Sequence, residues 1–267
     1  FLAVDEAHCV SHWGHDFRPE YRQLGQLKAL FPKLAIHAYT ATATPPVRQD
    51  IVEQLRLQSA ETLIGSFDRP NLRYKVERTS DRMAQARAVI ERHAGESGIV
   101  YCIRRTDVDK MSAKLQALGH KALPYHAGMV DEDRKRNQDA FIQEEADIIV
   151  ATVAFGMGID KSNVRYVLHS SMPKSLEHYQ QESGRAGRDS LEAECVLLYT
   201  GGDFHTWKSI LSDLPAEVRE SQERKLGEMW EYCRSAGCRH RHLVRYFGQE
   251  LAGDNCGACD VCLGEVE

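Results

Sequence analysis

The sequence predicts an α/β protein built on a parallel sheet, followed by a small helical module that ends in a knot of cysteines. Three observations carry this. Short apolar runs alternate with amphipathic helical segments up to about residue 200, no strand pattern follows Thr200, and five of the eight cysteines (Cys233, Cys238, Cys256, Cys259 and Cys262) crowd the C-terminal end. Short apolar strands separated by helices require crossover connections, which give a parallel sheet with helices on its faces.

The elements follow in order. Phe1-Leu2-Ala3-Val4 reads as the middle of a buried strand, so an N-terminus that is cut rather than natural is expected. Ala35 to Tyr39 is a second strand. Thr44 before Pro45 and Pro46 is a good helix entry, with Val47, Ile51, Val52 and Leu55 on one face. Asp68-Arg69-Pro70-Asn71 is turn-like and marks a boundary between two strand patterns. Ile99 to Cys102 is a buried strand, and Thr106 is placed to cap a helix that turns Val108, Met111, Leu115 and Leu118 inward and ends at Gly119. Ile148 to Val150, Tyr166 to Leu168 and Cys195 to Leu198 are further buried strands. After Thr200 three helical stripes remain: Phe204, Trp207, Ile210, Leu211 and Leu214; Leu226, Met229, Trp230 and Cys233; and Leu243, Val244 and Phe247, closed by Gly248. The expected organisation is residues 1–67, 68–203 and 204–267.

The 267 residues suffice for about two domains, and 42% hydrophobic with 27% charged residues is ordinary for a globular protein. No stretch approaches the ~20 apolar residues of a membrane span, and no signal peptide is visible. A net charge of −5 means that nucleic acid would have to be met by local patches. Arg104-Arg105, Arg134-Lys135-Arg136 and Arg239 to Arg245 are candidates, each also readable as solvated surface.

Chemistry concentrates in a few motifs. Asp5-Glu6-Ala7-His8 directly follows a strand, where a carboxylate projects into the crevice that binds ligands in parallel sheets. An Asp there can hold Mg²⁺ on a nucleotide phosphate, and a Glu beside it can activate water. Thr40-Ala41-Thr42-Ala43-Thr44 ends the second strand, where hydroxyls can report phosphate state; it is equally a small-residue strand end. Ser175 is placed to cap a helix running toward Ser183-Gly184-Arg185-Ala186-Gly187-Arg188-Asp189, in which Arg185 and Arg188 would share a helical face. A guanidinium offered across a cleft stabilises charge on a transferring phosphoryl group, and Gln181 lies one turn earlier. Trp13 and Phe17, among His, Gly and Pro neighbours, offer ring faces for bases, with Arg18 beside them for phosphate. Cys256-Gly257-Ala258-Cys259-Asp260-Val261-Cys262 spaces three thiols for one metal ion. The fourth ligand must lie upstream, among Cys233, Cys238, His240 and His242.

These motifs together resemble superfamily 2 helicases. Asp5 to His8, the Thr-Ala-Thr stretch and Gln181 to Asp189 look like motifs II, III and VI. Ser11-His12-Trp13-Gly14-His15-Asp16-Phe17-Arg18-Pro19-Glu20-Tyr21 resembles the aromatic-rich loop of the RecQ family, which links single-strand contact to ATP hydrolysis. Gly98 to Cys102 looks like motif IV, Tyr125 to Met129 like a short RecQ element that touches the DNA backbone, and Ala151 to Lys161 like motif V. The resemblance implies RecA-like helicase lobes, the first truncated, then a RecQ-type zinc module with Cys238 as first ligand beside Cys256, Cys259 and Cys262.

It further implies ATP, Mg²⁺ and Zn²⁺ as cofactors, with Asp5, Gly156, Gly158, Asp160, Arg185 and Arg188 on the nucleotide and Glu6, His8 and Gln181 completing the catalytic set. His12, Trp13, Phe17, Arg18, Arg104, His126 and Lys161 are implied on DNA, although His126 reads as readily as a satisfied structural histidine. The implied activity is a 3′ to 5′ DNA helicase working on single-stranded and partly duplex DNA in repair and recombination. A single-stranded-DNA-binding protein is a further expected partner, and the expected location is the bacterial nucleoid or a nucleus. The rival expectations are an RNA helicase or non-unwinding translocase, and a catalytically dead, zinc-braced binding module. No Gly-x-x-x-x-Gly-Lys-Ser/Thr run occurs in the 267 residues, so weak or no ATP hydrolysis is expected of them alone. An exposed sheet edge in residues 1 to about 67 would be a liability.

Overall fold

The computed structural model describes residues 1–153, 155 and 159–266. Gly156 and Gly158, expected on the nucleotide, lie outside the described residues. Among those described, the strands form two parallel sheets.

The first is a pair, β1 (Leu2–Val4) and β2 (Ile36–Ala38), in parallel register from Leu2 opposite Ile36 to Val4 opposite Ala38. Between them run 3-10 turns at Ala7–Val10 and Pro19–Leu24 and helix α1 (Gly25–Leu30). Helix α2 (Pro45–Gln54) enters through Thr44 and the two prolines and buries Val47 and Ile51. With Leu55, Val4, Ala7 and Val10 these form one small core.

The second sheet has six strands in the order β3-β8-β7-β4-β6-β5: β3 (Leu72–Arg78), β4 (Ser97–Tyr101), β5 (Ala122–Tyr125), β6 (Ile148–Ala151), β7 (Val164–His169) and β8 (Ala193–Tyr199). All its pairings are parallel, so helices must cover both faces, and two separate apolar clusters pack on them. Helices α3 (Arg82–Arg92), α4 (Arg105–Ala117), α5 (Asp131–Ile142) and α6 (Leu176–Ser183) make the crossovers. Asp81 caps α3 by accepting from the amides of Met83 and Ala84, and Ser175 caps α6 by accepting from that of His178. Thr106 does not cap α4: the cap is Arg104, and Thr106 lies inside the first turn.

The helical stripes after Thr200 become α7 (Gly201–Leu211), α8 (Ala216–Arg234) and α9 (Arg239–Tyr246). Thr200 and Asp203 close a reciprocal capping box on α7. Trp207, Leu211, Leu226, Met229, Cys233, Leu243 and Phe247 are buried as the periodicity requires, whereas Ile210 faces solvent. This module shares a core with the larger sheet rather than standing apart from it.

The candidate nucleotide cleft, aromatic loop and zinc centre

A cleft of about 1290 Å³ opens between the small sheet and the large one. Glu6 and the 40–43 stretch line one wall; Arg69, Asp160, Gln181, Arg185 and Arg188 line the other. Glu6 occupies the left-handed region at φ 48°, ψ 41°, which a non-glycine side chain adopts only when its surroundings hold it there. Its amide donates to Asp5 Oδ1 at 2.8 Å. Burial and the Asp5 carboxylate raise the Glu6 pKa, and the Arg185 guanidinium across the cleft draws it back down. His8 is buried, with Nδ1 2.9 Å from Thr40 Oγ1 and 3.3 Å from Glu6 Oε2. The end of β1 is thereby tied to the Thr-Ala-Thr stretch after β2.

Arg185 and Arg188 are not on a helical face. Helix α6 stops at Ser183 and the chain continues through turns, with Gly187 at φ +55°. A Cβ at Gly187 would lie 2.5 Å from Asn71 Nδ2 and 2.7 Å from Leu191 O, so only glycine fits this corner. Arg185 is buried, while Arg188 donates to Ile159 O at 3.0 Å and lies 3.7 Å from the exposed Asp160 carboxylate. Burial and the neighbouring Arg185 lower the Arg188 pKa. Sequence reasoning missed Arg69 and Asn71. Arg69 donates to the carbonyls of Gly184 (3.4 Å), Ala186 (3.2 Å) and Gly187 (2.9 Å), and Asn71 Nδ2 to those of Gly187 and Leu191 (2.9 and 2.8 Å). The signal in the sequence is the turn-like Asp68 to Asn71 stretch.

The aromatic loop folds back on the acidic turn. A Cβ at Gly14 would come within 2.4 Å of His8 O, so the glycine permits the contact. Trp13 is exposed, with the Arg224 guanidinium 5.9 Å from its ring centre; His12 is exposed, its ring tilted against that of half-buried Phe17 with centroids 3.9 Å apart. Arg18 pairs with Asp16 at 2.8 Å. His15 stacks on His8 at 4.1 Å and meets the edge of His178 at 4.8 Å, so three imidazoles bridge the two sheets' territories. Burial pushes the His8 pKa down to about 4, and lowers those of His15 and His178 well below the usual value. Lys225 of α8, also missed, donates to Trp13 O at 2.7 Å and pairs with buried Glu177 at 2.6 Å.

The remaining residues expected on DNA divide. Arg104 is exposed at the start of α4. His126 is buried with both ring nitrogens engaged, Nε2 with Asp109 Oδ1 at 3.0 Å and Nδ1 with the Gly128 amide at 3.2 Å, which matches the structural alternative. Lys161 is buried too, over the Phe141 ring and 3.2 Å from Glu144 Oε1, so it does not present its ammonium to a surface.

The sulfurs of Cys238, Cys256, Cys259 and Cys262 all lie within 4.8 Å of one another. Three already accept backbone N–H groups, from Arg241, Ala258 and Cys262, as thiolates in tight metal loops do. Four thiols so gathered suit zinc in a closed tetrahedral site. Of the rival fourth ligands, Cys233 is buried in the apolar core, and His240 has Nδ1 on Asp68 at 2.7 Å and Nε2 on Leu72 O at 3.0 Å. The ring of His242 packs on Tyr232.

A parallel-sheet lobe with a guanidinium-bearing turn on one cleft wall, joined to a four-cysteine metal module, defines the class as the C-terminal part of a superfamily 2 helicase core. Residues 81–190 match the helicase conserved C-terminal domain, and residues 201–263 the RecQ zinc-binding family. The ATP-dependent DNA helicase RecQ of Haemophilus influenzae is 47% identical over 264 residues, covering 98% of this chain and 42% of the relative. The RecQ of Bacillus subtilis is 43% identical over 263 residues, covering 98% and 44%. The DNA helicase hus2/rqh1 of Schizosaccharomyces pombe is 43% identical over 271 residues, covering 99% and 20%. The chain belongs to the RecQ family, and it spans under half the length of these relatives. Among solved structures, the Saccharomyces cerevisiae protein Dbp5 bound to RNA and ADP BeF3 shares the fold, with a TM-score of 0.63 at 19% identity, covering 84% of this chain and 62% of that one. The Mycobacterium smegmatis helicase Lhr bound to ssDNA and AMP-PNP gives 0.57 at 20%, covering 79% and 30%.

Proposed function

We propose that the protein of which this chain forms part is an ATP-dependent DNA helicase that moves 3′ to 5′ on single-stranded DNA and separates duplexes during repair and recombination. The observation that carries this reading is the shared cleft, with Glu6 on one wall and Gln181, Arg185 and Arg188 on the other. ATP and Mg²⁺ belong between these walls. Asp5 holds the metal, Glu6 activates water, and Arg188 and Arg185 meet charge as it develops on the γ-phosphate. Gln181 and Asp160 flank them. His8 passes the state of this site to Thr40 and, through the stack on His15, to the aromatic loop.

On this reading the exposed Trp13 and His12, with Phe17 and Arg18, receive the bases and backbone of a single strand, and Arg104 adds a phosphate contact. His126 and Lys161 act through the loops they hold rather than by touching DNA. Zinc on Cys238, Cys256, Cys259 and Cys262 supplies structure and no chemistry. A single-stranded-DNA-binding protein is a natural partner, and the protein works where the cell keeps its DNA. Within these 267 residues the β- and γ-phosphates lack a glycine-rich loop and its lysine, so hydrolysis by this chain alone should be negligible.

The test is strand displacement by the intact protein on DNA and RNA duplexes with ATP. Unwinding of tailed DNA that depends on Glu6 supports the reading. Displacement of RNA alone, or ATP turnover without displacement of either, sinks it.

A further inference from the structure

The end of the connection between the two sheets and the start of β3, residues 65–76, are gripped by the zinc module at two places. At the first, His240, two residues after the ligand Cys238, holds Asp68 Oδ1 at 2.7 Å and Leu72 O at 3.0 Å. At the second, the loop carrying Cys256 and Cys259 lies along the outer edge of β3. Tyr74 N–H donates to Ala258 O (3.1 Å), Asp260 N–H to Tyr74 O (2.9 Å), and Val76 N–H to Asp260 Oδ2 (2.9 Å). Asp260 directly follows the ligand Cys259, and Arg239 directly follows Cys238. These two form a buried ion pair, Nε to Oδ1 at 2.9 Å and Nη2 to Oδ2 at 3.1 Å. Four thiols drawn to one ion would fix His240, Arg239 and Asp260, and through them the connection.

Arg69 stands within the first of these grips, between Asp68 and Leu72. Its guanidinium spans the carbonyls of Gly184, Ala186 and Gly187, the corner that carries Arg185 and Arg188. Asn71, on the same stretch, holds Gly187 O and Leu191 O, and its own carbonyl accepts from the Ala193 amide at 3.0 Å. A planar fork can satisfy several carbonyls at fixed angles, which a point-like ammonium cannot.

We propose that Arg69 is a positioning residue for the Arg185–Arg188 corner and that the zinc centre sets Arg69 through His240 and Asp260. The functional part rests on the reading of Arg185 and Arg188 as phosphate-side groups; the mechanical coupling does not. Zinc then serves the nucleotide cleft at a distance, by holding the connection from which the arginine corner hangs.

Amide hydrogen exchange on the zinc-loaded chain, resolved residue by residue, tests this. The Gly187 amide, bonded to Val164 O, and the Ala193 amide report the corner; Ile99 and Ile149 in the sheet interior report the global fold. Arg69→Gln should speed exchange at Gly187 and Ala193 by about tenfold or more and leave Ile99 and Ile149 unchanged. Arg69→Lys should behave like the glutamine variant. Protection restored by lysine would mean that Arg69 acts as a charge and would overturn the positioning role. Removal of zinc by a chelator should reproduce the acceleration at Gly187, reversed on adding zinc back. Unchanged rates, or equal acceleration throughout the sheet, would overturn the link to the metal. If the stripped chain unfolds outright, His240→Phe with one equivalent of zinc retained decides: faster exchange at Gly187 supports the link and an unchanged rate refutes it. Normal ATP turnover by Arg188→Ala in the intact protein would refute the phosphate-side reading while leaving the exchange results standing.

Discussion

Glu6 and Asp260 are carboxylates near opposite ends of the chain, and the fold treats them in opposite ways. Asp260 is fully buried, and both its oxygens are satisfied, by Arg239, the Val76 amide and the Val261 amide. Glu6 remains one-third exposed, in a left-handed backbone conformation, with its pKa raised by burial and by Asp5 and drawn down in part by Arg185 on the far wall of a cleft. A carboxylate that holds a structure together has its partners built in. One placed to act on a ligand, as proposed for Glu6, keeps part of its surface open to the cleft. The zinc end is closed and the cleft end is open, so substitutions at the two should fail in different measurements.

The largest effect is expected at the cleft and should be kinetic. Arg188→Ala in the intact protein should lower ATP turnover by about 10³-fold or more, since a guanidinium on the transferring phosphoryl group is worth that much. Affinity for single-stranded DNA and the unfolding midpoint should stay close to those of the parent, because Arg188 is partly exposed and its contacts, Ile159 O and Asp160, lie at the rim. Steady-state ATPase beside fluorescence anisotropy with a labelled oligonucleotide checks this; normal turnover would remove Arg188 from the mechanism.

At the zinc end the effect should be thermodynamic. Arg239→Ala leaves the Asp260 carboxylate buried without its cation, a change that typically costs about 3–5 kcal/mol. Urea unfolding should register it as a large fall in midpoint. Asp260→Ala strands Arg239 and the Val76 amide and should cost a similar amount. A loss below about 1 kcal/mol in either variant would mean that water reaches the pair and that this end is not closed.

How much of this was legible in the sequence follows the same division. Strand and helix periodicity disclosed the parallel sheet and the three terminal helices, because each element buries one face and the pattern repeats locally. The cysteine spacing disclosed the metal site for the same reason, since three ligands lie within one short loop. Contacts made at long range were hidden. Nothing local in Arg69 says that its partners are carbonyls more than a hundred residues away, and nothing in Lys225 points to Trp13 and Glu177. The helical reading of Arg185 and Arg188 fails because α6 stops at Ser183 and the chain runs on through turns, with Gly187 at a positive φ where a Cβ would meet Asn71 and Leu191. Lys161, and His126 in one of its two readings, look like surface contacts in the sequence because their partners, Glu144 and Asp109, are not brought near by any local pattern.

A third, smaller effect lies between the two ends, in the stack of His8, His15 and His178. Burial lowers all three pKa values, that of His8 to about 4. A group whose folded pKa is depressed contributes stability that is present above its unfolded pKa, near 6.5, and is lost as pH falls toward the folded value. The chain should therefore lose stability as pH falls from 6.5 toward 4, with His8 contributing on the order of 3 kcal/mol when fully expressed and His15 and His178 adding in the same direction. Thermal unfolding across that range should fall steeply for the parent and less steeply for His15→Phe, which keeps a ring in the stack and cannot take a proton. Parallel curves would mean that the imidazoles are already solvated.

The smallest effect tests Glu6 itself. Its pKa is raised, so the sign is reversed: the favourable contribution is complete below the unfolded value of about 4.5 and is lost as pH rises through the folded value. As pH rises the carboxylate ionises against burial and against Asp5 and Asp16, with partial relief from Arg185 across the cleft and from Arg18. Glu6→Gln removes that charge and keeps the shape. It should stabilise the fold at pH 7 by a few tenths of a kcal/mol, about the scale of half-exposed charge interactions. The gain should shrink as pH drops below 4.5, where the parent is protonated too. In the intact protein the same substitution should abolish ATP hydrolysis, so that stability and activity move in opposite directions at one residue. Asp260→Asn should lower stability at neutral pH, since it weakens the pairing with Arg239. A Glu6→Gln variant that is less stable than the parent at pH 7 would place Glu6 among the built-in contacts, and the contrast between the two carboxylates would fail.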